Sequence, residues 1–238
     1  MTRRRWMADE ASDNSAALVG DHADHLARVL RARVGQEFEI AAGKSVRRGK
    51  IISITNTRVE FDLGEEVPTT APAKITLVLA IFKFDRMEWA IEKCTELGVA
   101  RIVPVIGRRT DSHLVSASTK RVERWQRIAR QAAEQSRRTE PPEIALPGKL
   151  SEMMNACSGL RIVLTESEEQ TYLRDVLKPD AVDDGVTLAV GPEGGWTEDE
   201  LQSFQQAGWI SVSLGNTILR AETAAIAAVA VAMNVVLF

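Results

Sequence analysis

Apolar residues follow two different patterns along this chain. In the first part they alternate with polar ones. "EFEI", "VRRGKIISI" and "RVEFDL" read as half-buried strands, with turn signals at Ala42-Gly43 and Thr55-Asn56. Ahead of them "DHADHLARVLRARVG" has a helical period through Leu26, Val29 and Leu30, with Asp21 as N-cap and Gly35 as stop. This predicts a small β-barrel or sandwich. "GEEVPTTAPAK" then reads as a linker and places a boundary near residues 65–73. Two domains follow, 1–70 and 74–238.

Beyond the linker the apolar residues run in continuous blocks. "KITLVLAIF", "ARIVPVIG", "LRIVLTE", "GVTLAVG" and "WISVSLG" predict buried strands. Between the first two lies "RMEWAIEKCTELG", an amphipathic helix closed by Gly98. A longer helix is expected from about Thr119 to Arg137, with Val122, Trp125, Ala129 and Ala132 on one side. Short strands separated by helices indicate an α/β fold with a parallel sheet covered on both faces. The C-terminal "AAIAAVAVAMNVVLF" is shorter than the roughly 20 residues of a membrane span and reads as a buried helix. No signal peptide is expected, because no apolar run follows the basic start "MTRRRW".

Composition changes this picture little, and charge distribution more. The net charge of −3 argues against a general nucleic-acid binder. Residues 71–150, however, carry 15 Lys+Arg against 9 Asp+Glu, whereas residues 151–238 carry 4 against 13. A polyanion would be met by the middle of the chain. Cys94 and Cys157 lie far apart and suit a reduced, cytoplasmic protein, with Cys94 on the apolar stripe of its helix. His22 and His25 form an H-x-x-H with no third ligand nearby, so no metal is expected.

The chain lacks G-x-G-x-x-G after its first buried strand, G-x-x-x-x-G-K-[ST] and G-x-S-x-G. What it has is "TLAVGPEGGWTEDEL", a buried strand running into a glycine loop and then a helix. Gly191, Gly194 and Gly195 permit close backbone approach, Pro192 stiffens the loop, and Thr197 with Glu200 forms a capping box. A plain strand-to-helix turn explains the same residues. A second strand ends similarly in "VSLGNTILRAETAAIAAVAV", at Gly215-Asn216. Two such loops from one sheet would line one pocket, with Arg220 as an exposed cation and Glu222 in the first helical turn, where a carboxylate also complements the helix dipole.

"GPEGG" followed by "LGNTILRAETA" resembles the C-terminal signature of the knotted SPOUT methyltransferases, and most closely the RsmE family, which methylates N3 of a uridine in 16S rRNA. "HLARVLR", "KFDRMEWAIEKCTELGVARIVPV" and "RWQRIARQAAEQSRRTEPPEI" resemble further family segments in the same order, covering nearly the whole chain. One departure is Arg108, where family members often carry Glu before the Arg matched by Arg109. The resemblance implies an N-terminal PUA-like β-barrel that binds RNA. It implies a C-terminal α/β domain with a trefoil knot, an S-adenosyl-L-methionine site in that knot, and a homodimer in the cytoplasm, with no metal and no membrane. The cofactor residues would be Leu164, Thr165, Glu166, Gly191, Pro192, Glu193, Gly194, Gly195, Leu214, Gly215, Ile218, Leu219 and Thr223. Arg220 would stabilise the uridine anion, and Glu222 would orient Arg220 or relay the proton. The 16S rRNA, or the small ribosomal subunit, would be met by Arg3, Arg4, Arg28, Arg31, Lys83, Arg86, Arg109, Arg124, Arg127, Gln135 and Arg138. Of these, Arg124 and Arg127 share a helix face with Lys120, which also reads as a solvated basic face.

Overall fold

The computed structural model describes residues 5–155 and 157–236. They form two compact units, one made of residues up to Ala71 together with Ala133–Pro141, the other of Pro72–Ala132 and Pro142 onward.

The first unit is built on β1 (Trp6–Met7), β2 (Glu10–Ala11), β3 (Ser15–Val19), β4 (Glu37–Ala42), β5 (Ser45–Ile54) and β6 (Arg58–Glu66). They make one six-stranded sheet in the order β1-β4-β5-β6-β3-β2. Its pairs are antiparallel except β1 with β4. The alternation read from the sequence puts Ile40, Ile51, Val59 and Phe61 into one core with Trp6, Leu18 and Leu26. It breaks in β5, where the register shifts between Arg47 and Gly49. A Cβ on Gly49 would stand 2.5 Å from Ile40 Cγ1, so only glycine fits.

The expected helix is shorter and differently capped. α1 (Asp21–Asp24) passes into a π-helical turn, His25–Val29. Gly20, at φ 59°, holds the cap position, and Asp21 is the first helical residue. The chain leaves the helix at Leu30, long before Gly35, because the 35–36 segment is taken up by a strand. Gly35 N–H donates to Ile51 O at 2.8 Å, and Ile51 N–H to Gln36 O at 2.9 Å. The two histidines also have separate uses. His22 Nδ1 lies 3.1 Å from Asp9, and His25 lies against Trp6 with ring centroids 5.8 Å apart.

Ala133–Pro141 joins this unit through charge. Arg5 N–H donates to Glu134 O, and Met7 N–H to Glu134 Oε1, both at 3.2 Å. Arg5 Nη2 lies 3.0 Å from Glu39 Oε2, and Arg137 bonds the other oxygen of the same carboxylate. Burial pushes the Glu39 carboxyl up, but hydrogen bonds from Arg137 and Arg5 outweigh it and hold it below its ordinary value.

The second unit is a parallel sheet of β7 (Ile75–Ala80), β8 (Arg101–Ile106), β9 (Glu143–Ile144), β10 (Gly148–Lys149), β11 (Leu160–Leu164), β12 (Val186–Val190) and β13 (Ile210–Val212). Its order is β10-β8-β7-β12-β11-β13, with β9 also on β8. Around it lie α2 (Phe84–Leu97), α3 (Ser112–Ser118), α4 (Val122–Gln135, its last three residues counted with the first unit), α5 (Leu150–Asn155), α6 (Leu173–Val176), α7 (Glu198–Gln206) and α8 (Ala221–Val236). The apolar runs are sorted by the pleat. Leu77 and Leu79 join Met87, Ile91, Trp125, Ala225 and Val229 in one core layer. Val78 and Ala80 join Trp196, Phe204 and Trp209 in the other. In that second layer Phe204 sits edge-on to both tryptophans, at 5.1 and 5.0 Å. Cys94 is fully buried, and burial pushes its thiol up to about 12. Among the described residues no helix is long and apolar enough to cross a membrane.

Gly98 closes α2 in the left-handed region, at φ 107°, and a Cβ there would stand 2.8 Å from Met233 Cε on α8. Gly98→Ala should therefore lower stability by about 1–3 kcal/mol, read as a fall in the urea midpoint with an unchanged slope. An unchanged midpoint would show that neither strain nor contact matters at this turn.

Candidate active site

Because β11, β12 and β13 are parallel, their C-terminal ends share one edge of the sheet, where an α/β sheet presents its loops to ligands. A cavity of about 660 Å³ opens there. One wall is the segment after β11, Leu164 to Glu169 with Tyr172. The second is the glycine loop after β12, with Trp196 and Leu201 behind it. The third is Val212 to Leu219 and the start of α8.

The glycine loop is held from several sides. Gly195 N–H closes a turn onto Pro192 O at 2.8 Å, with Gly195 at φ 69°. A Cβ on Gly191 would stand 3.3 Å from both Trp196 nitrogens, so glycine lets the loop backbone and the indole pack closely there. The capping box forms as expected. Thr197 N–H donates to Glu200 Oε2 at 2.8 Å, and Glu200 N–H donates to Thr197 Oγ1 at 3.3 Å. Glu200 also does something the motif does not foretell. Its Oε1 accepts the Arg108 N–H at 2.8 Å, tying the turn after β8 to the start of α7. Beside it, Arg109 Nη1 donates to Gly194 O at 2.5 Å and approaches Trp196 O at 3.4 Å. Position 108 thus serves through its backbone, while its side chain stays on the surface.

The third wall has its own ties. Ser213 Oγ donates to Gly215 O at 3.1 Å. Tyr172 Oη donates to Asn216 Oδ1 at 3.3 Å, bridging the first and third walls. The lining is acidic, with Glu166, Glu168, Glu169, Glu193 and Glu198 against one guanidinium, Arg109. The Gln170 and Thr171 N–H groups hold the Glu168 carboxyl below its ordinary value. No group of three or more metal-ligating side chains gathers among the described residues.

Of the expected cofactor residues, Leu164, Thr165, Glu166, Gly191, Pro192, Glu193, Gly195, Leu214, Gly215, Ile218 and Leu219 line this cavity. Gly194 stands outside the lining and offers its carbonyl to Arg109, and Thr223 is exposed on α8. Arg220 and Glu222 follow the third wall without lining it. Arg220 is exposed, and its guanidinium has no partner among the described residues. Glu222 is 3% exposed, with Oε2 unpartnered and Oε1 3.8 Å from Arg86 Nε. Ser167, Glu168, Glu169 and Tyr172, which extend the expected wall of Leu164 to Glu166, were not read from the sequence, because no motif continues past Glu166, and Trp196 behind the glycine loop was missed as a lining residue. Tyr172, the sole tyrosine, was the available signal.

The expected RNA residues separate by how they are engaged. Arg124 makes a two-pronged bond to Glu88, at 2.7 and 2.8 Å. Arg86 and Lys83 face Glu193, and Arg109 holds the glycine loop. Arg28 pairs with Asp24 one helical turn away. Arg31, Arg127 and Gln135 are exposed. Arg138 is half-buried, and burial brings its guanidinium down to about 10. Arg3 and Arg4 lie outside the described residues.

Residues 69–233 match the family model of the RNA methyltransferase domain. Ribosomal RNA small subunit methyltransferase E of Rickettsia conorii is 33% identical, covering 92% of this chain and 90% of its own length. The Aquifex aeolicus protein of the same name is 32% identical over 96% and 98%. The solved structure of ribosomal RNA small subunit methyltransferase E from Neisseria gonorrhoeae, bound to S-adenosyl methionine, matches with a TM-score of 0.84 at 30% identity, over 95% of each chain. A putative methyltransferase from Legionella pneumophila, in complex with bound SAM, matches with a TM-score of 0.86 at 28% identity, over 97% of this chain and 96% of that one.

Glu200 is the joint of this edge. Glu200→Ala removes the cap and leaves the Arg108 N–H without its acceptor, and should cost about 2–3 kcal/mol in denaturant unfolding. Glu200→Gln, which keeps one acceptor oxygen, should lose about half as much. Equal losses would show that the charge, and not the hydrogen bonds, sets the cost.

Proposed function

The chain belongs to the RNA methyltransferase family whose members include the ribosomal RNA small subunit methyltransferases E, and from that premise we propose that it methylates N3 of a uridine in 16S rRNA, using S-adenosyl-L-methionine. The observation that carries this is the cavity at the shared edge of β11, β12 and β13, in a chain that matches cofactor-bound methyltransferases over nearly all its length.

The residues fit that cofactor. The cavity volume of about 660 Å³ lies in the range for small-molecule sites. Leu164, Val190, Leu214 and Leu219 supply apolar surface for an adenine ring, and Gly191 and Gly195 bring backbone close without side chains. The lining carboxylates complement a ligand that carries a sulfonium and an ammonium. When bound, the cofactor supplies an electrophilic methyl group.

The acceptor is the harder half of the reaction. N3 of uridine is an imide nitrogen between two carbonyls, protonated and weakly nucleophilic at neutral pH. The protein must hold it in line and favour its anion. Arg220 is the cation for that role, since it follows the cavity wall directly and is not spent on any partner among the described residues. Glu222, two residues on and buried, has an unpartnered oxygen to orient Arg220 or to take the N3 proton.

The finer features of the reading rest on the same family. The N-terminal unit serves as a PUA-like RNA-binding barrel, supported by its six-stranded sheet over a core of Trp6, Leu18, Ile40 and Phe61 and by exposed Arg31. The C-terminal segment forms the knot, supported by the neighbouring parallel strands β12, β11 and β13 and by α8 closing the third wall. The protein acts as a homodimer in the cytoplasm. Exposed apolar Ile218 and Val231 in the segment that carries the third wall support a second copy there. Arg127, Gln135 and Arg138 are the further RNA contacts, together with Arg3 and Arg4 in the sequence ahead of the described residues.

Labelled S-adenosyl-L-methionine should be incorporated into small subunits lacking this modification, with reverse transcriptase stopping at one uridine of the 16S rRNA, since N3 methylation blocks the pairing face. Incorporation without the stop discards the N3 assignment. Tight subunit binding without incorporation would instead make the protein an assembly factor. At the cofactor, Gly195→Val forces a branched residue to φ 69° beside Glu166 Oε1. Calorimetry should show affinity lowered by about tenfold or more. Wild-type affinity in that variant moves the cofactor away from this loop.

A further inference from the structure

Two walls of the cavity are followed by acidic residues that reach the same cation. Glu193 sits on the glycine loop after β12, and Glu222 sits in the first turn of α8, just beyond the third wall. Arg86, in the first turn of α2, reaches both. Its Nη1 lies 2.7 Å from Glu193 Oε1, a direct charge-assisted hydrogen bond. Its Nε lies 3.8 Å from Glu222 Oε1, too far for a hydrogen bond and close enough for strong Coulombic attraction. Lys83 adds a looser contact, 3.8 Å from Glu193 Oε2.

These two carboxylates need the cation unequally. Glu193 is a third exposed, and water solvates it whether or not Arg86 is present. The Glu222 side chain is 4% exposed, and its Oε2 has no hydrogen-bond partner. A carboxylate so placed has given up water without gaining donors, and a nearby positive charge offsets that cost. Arg86 is the only cation recorded within ion-pair distance of it among the described residues, and the N-terminus of α8 adds its partial positive charge. The helices that carry the pair, α2 and α8, share one core layer through Met87, Ile91, Ala225 and Val229, so the guanidinium has a rigid base.

We infer that Arg86 is a positioning residue, whose guanidinium, shared between Glu193 and Glu222, sets the spacing of the glycine loop and the first turn of α8 around the cofactor cavity. This rests on the cofactor reading above and replaces an RNA-contacting role for Arg86. A guanidinium suits the task because its donors fork in fixed directions, whereas an ammonium is one point of charge.

The test uses full-length protein, calorimetric titration with S-adenosyl-L-methionine alone, and single-turnover methylation of small subunits. Arg86→Met should weaken cofactor binding about tenfold. Adding Glu193→Gln to Arg86→Met should weaken it by less than Glu193→Gln does in the wild-type protein, since part of the Glu193 effect acts through Arg86. Arg86→Lys should recover cofactor affinity to within about threefold but leave the methylation rate at saturating cofactor reduced, because a lysine at this position lacks the forked donors that face Glu193 and Glu222 in separate, fixed directions. Glu193→Gln alone alters a partly exposed side chain and keeps the comparison available if Arg86→Met does not fold. Additive losses, or a lysine variant that restores both affinity and rate, would overturn the sharing. Unchanged cofactor affinity with weakened subunit binding would return Arg86 to the RNA surface. A wild-type protein that binds no cofactor would overturn the functional reading itself, whatever Arg86 does.

Discussion

A parallel sheet covered on both faces leaves its backbone accessible only where strands end. That constraint organises the second unit. Leu77 and Leu79 commit one side of β7 to α2, α4 and α8, and Val78 and Ala80 commit the other to the tryptophan–phenylalanine cluster around α7. With both faces filled, chemistry has only the strand-end edge, and the chain puts its conformational freedom there. Gly191 and Gly195 follow β12, and Gly215 follows β13. The freedom is then withdrawn by hydrogen bonds from neighbours, since a loop that must recognise a ligand gains from being held in place beforehand. Arg109 grips the Gly194 and Trp196 carbonyls, Glu200 grips the Arg108 peptide, and Ser213 grips Gly215.

Charge shows the same division between what is spent inside the chain and what stays open. The excess of Lys and Arg in residues 71–150 suggests a broad basic surface. The structure reduces it. Arg124 is paired with Glu88, Lys93 with Glu92 and Glu96, Arg101 with Glu143, and Arg86 with Glu193. Such pairs at the surface add little stability, but they do set which cations remain to meet a phosphate. Arg127 and Lys120 remain exposed on the helical face that Arg124 shares. The acidic excess of the last third also has a place, because Glu166, Glu168, Glu169, Glu193 and Glu198 all stand around the cavity.

Much of this was legible in the residues. Continuous apolar runs marked the strands, Gly98 marked the end of α2, and the T-x-x-E spacing marked the start of α7. These signals are local, and local physics decides them. What escaped depends on contacts distant in sequence. Nothing near Gly35 says that its N–H will be claimed by Ile51, which ends the first helix early. Nothing in "EQSRRTEPP" says that its arginine will share the Glu39 carboxylate with Arg5, so that Ala133–Pro141 groups with residues far upstream. The two-residue strands β1 and β2 are too short to show any period. At the site, the glycine loops and the start of the wall after β11, Leu164 to Glu166, were visible, whereas the rest of that wall, Ser167 to Glu169 with Tyr172, was not.

Glu200 and Glu222 bring these threads together. Both are buried carboxylates, each in the first turn of a helix that follows a cavity loop. Sequence position makes them look alike, and each has the same favourable helix dipole. Their hydrogen bonding separates them. Glu200 accepts from Thr197 N–H, Thr197 Oγ1 and Arg108 N–H, so both its oxygens are satisfied by the protein, and its charge is consumed in holding the loop. Glu222 has no such partners, only a cation at 3.8 Å and one oxygen without a donor. A fold seldom tolerates a buried acceptor left open, because its desolvation is not repaid by a bond. Glu222 thus keeps an open acceptor just beyond the third wall of the cavity, two residues from Arg220, whose guanidinium has no partner among the described residues, so the same helix start that is closed at Glu200 is left open here.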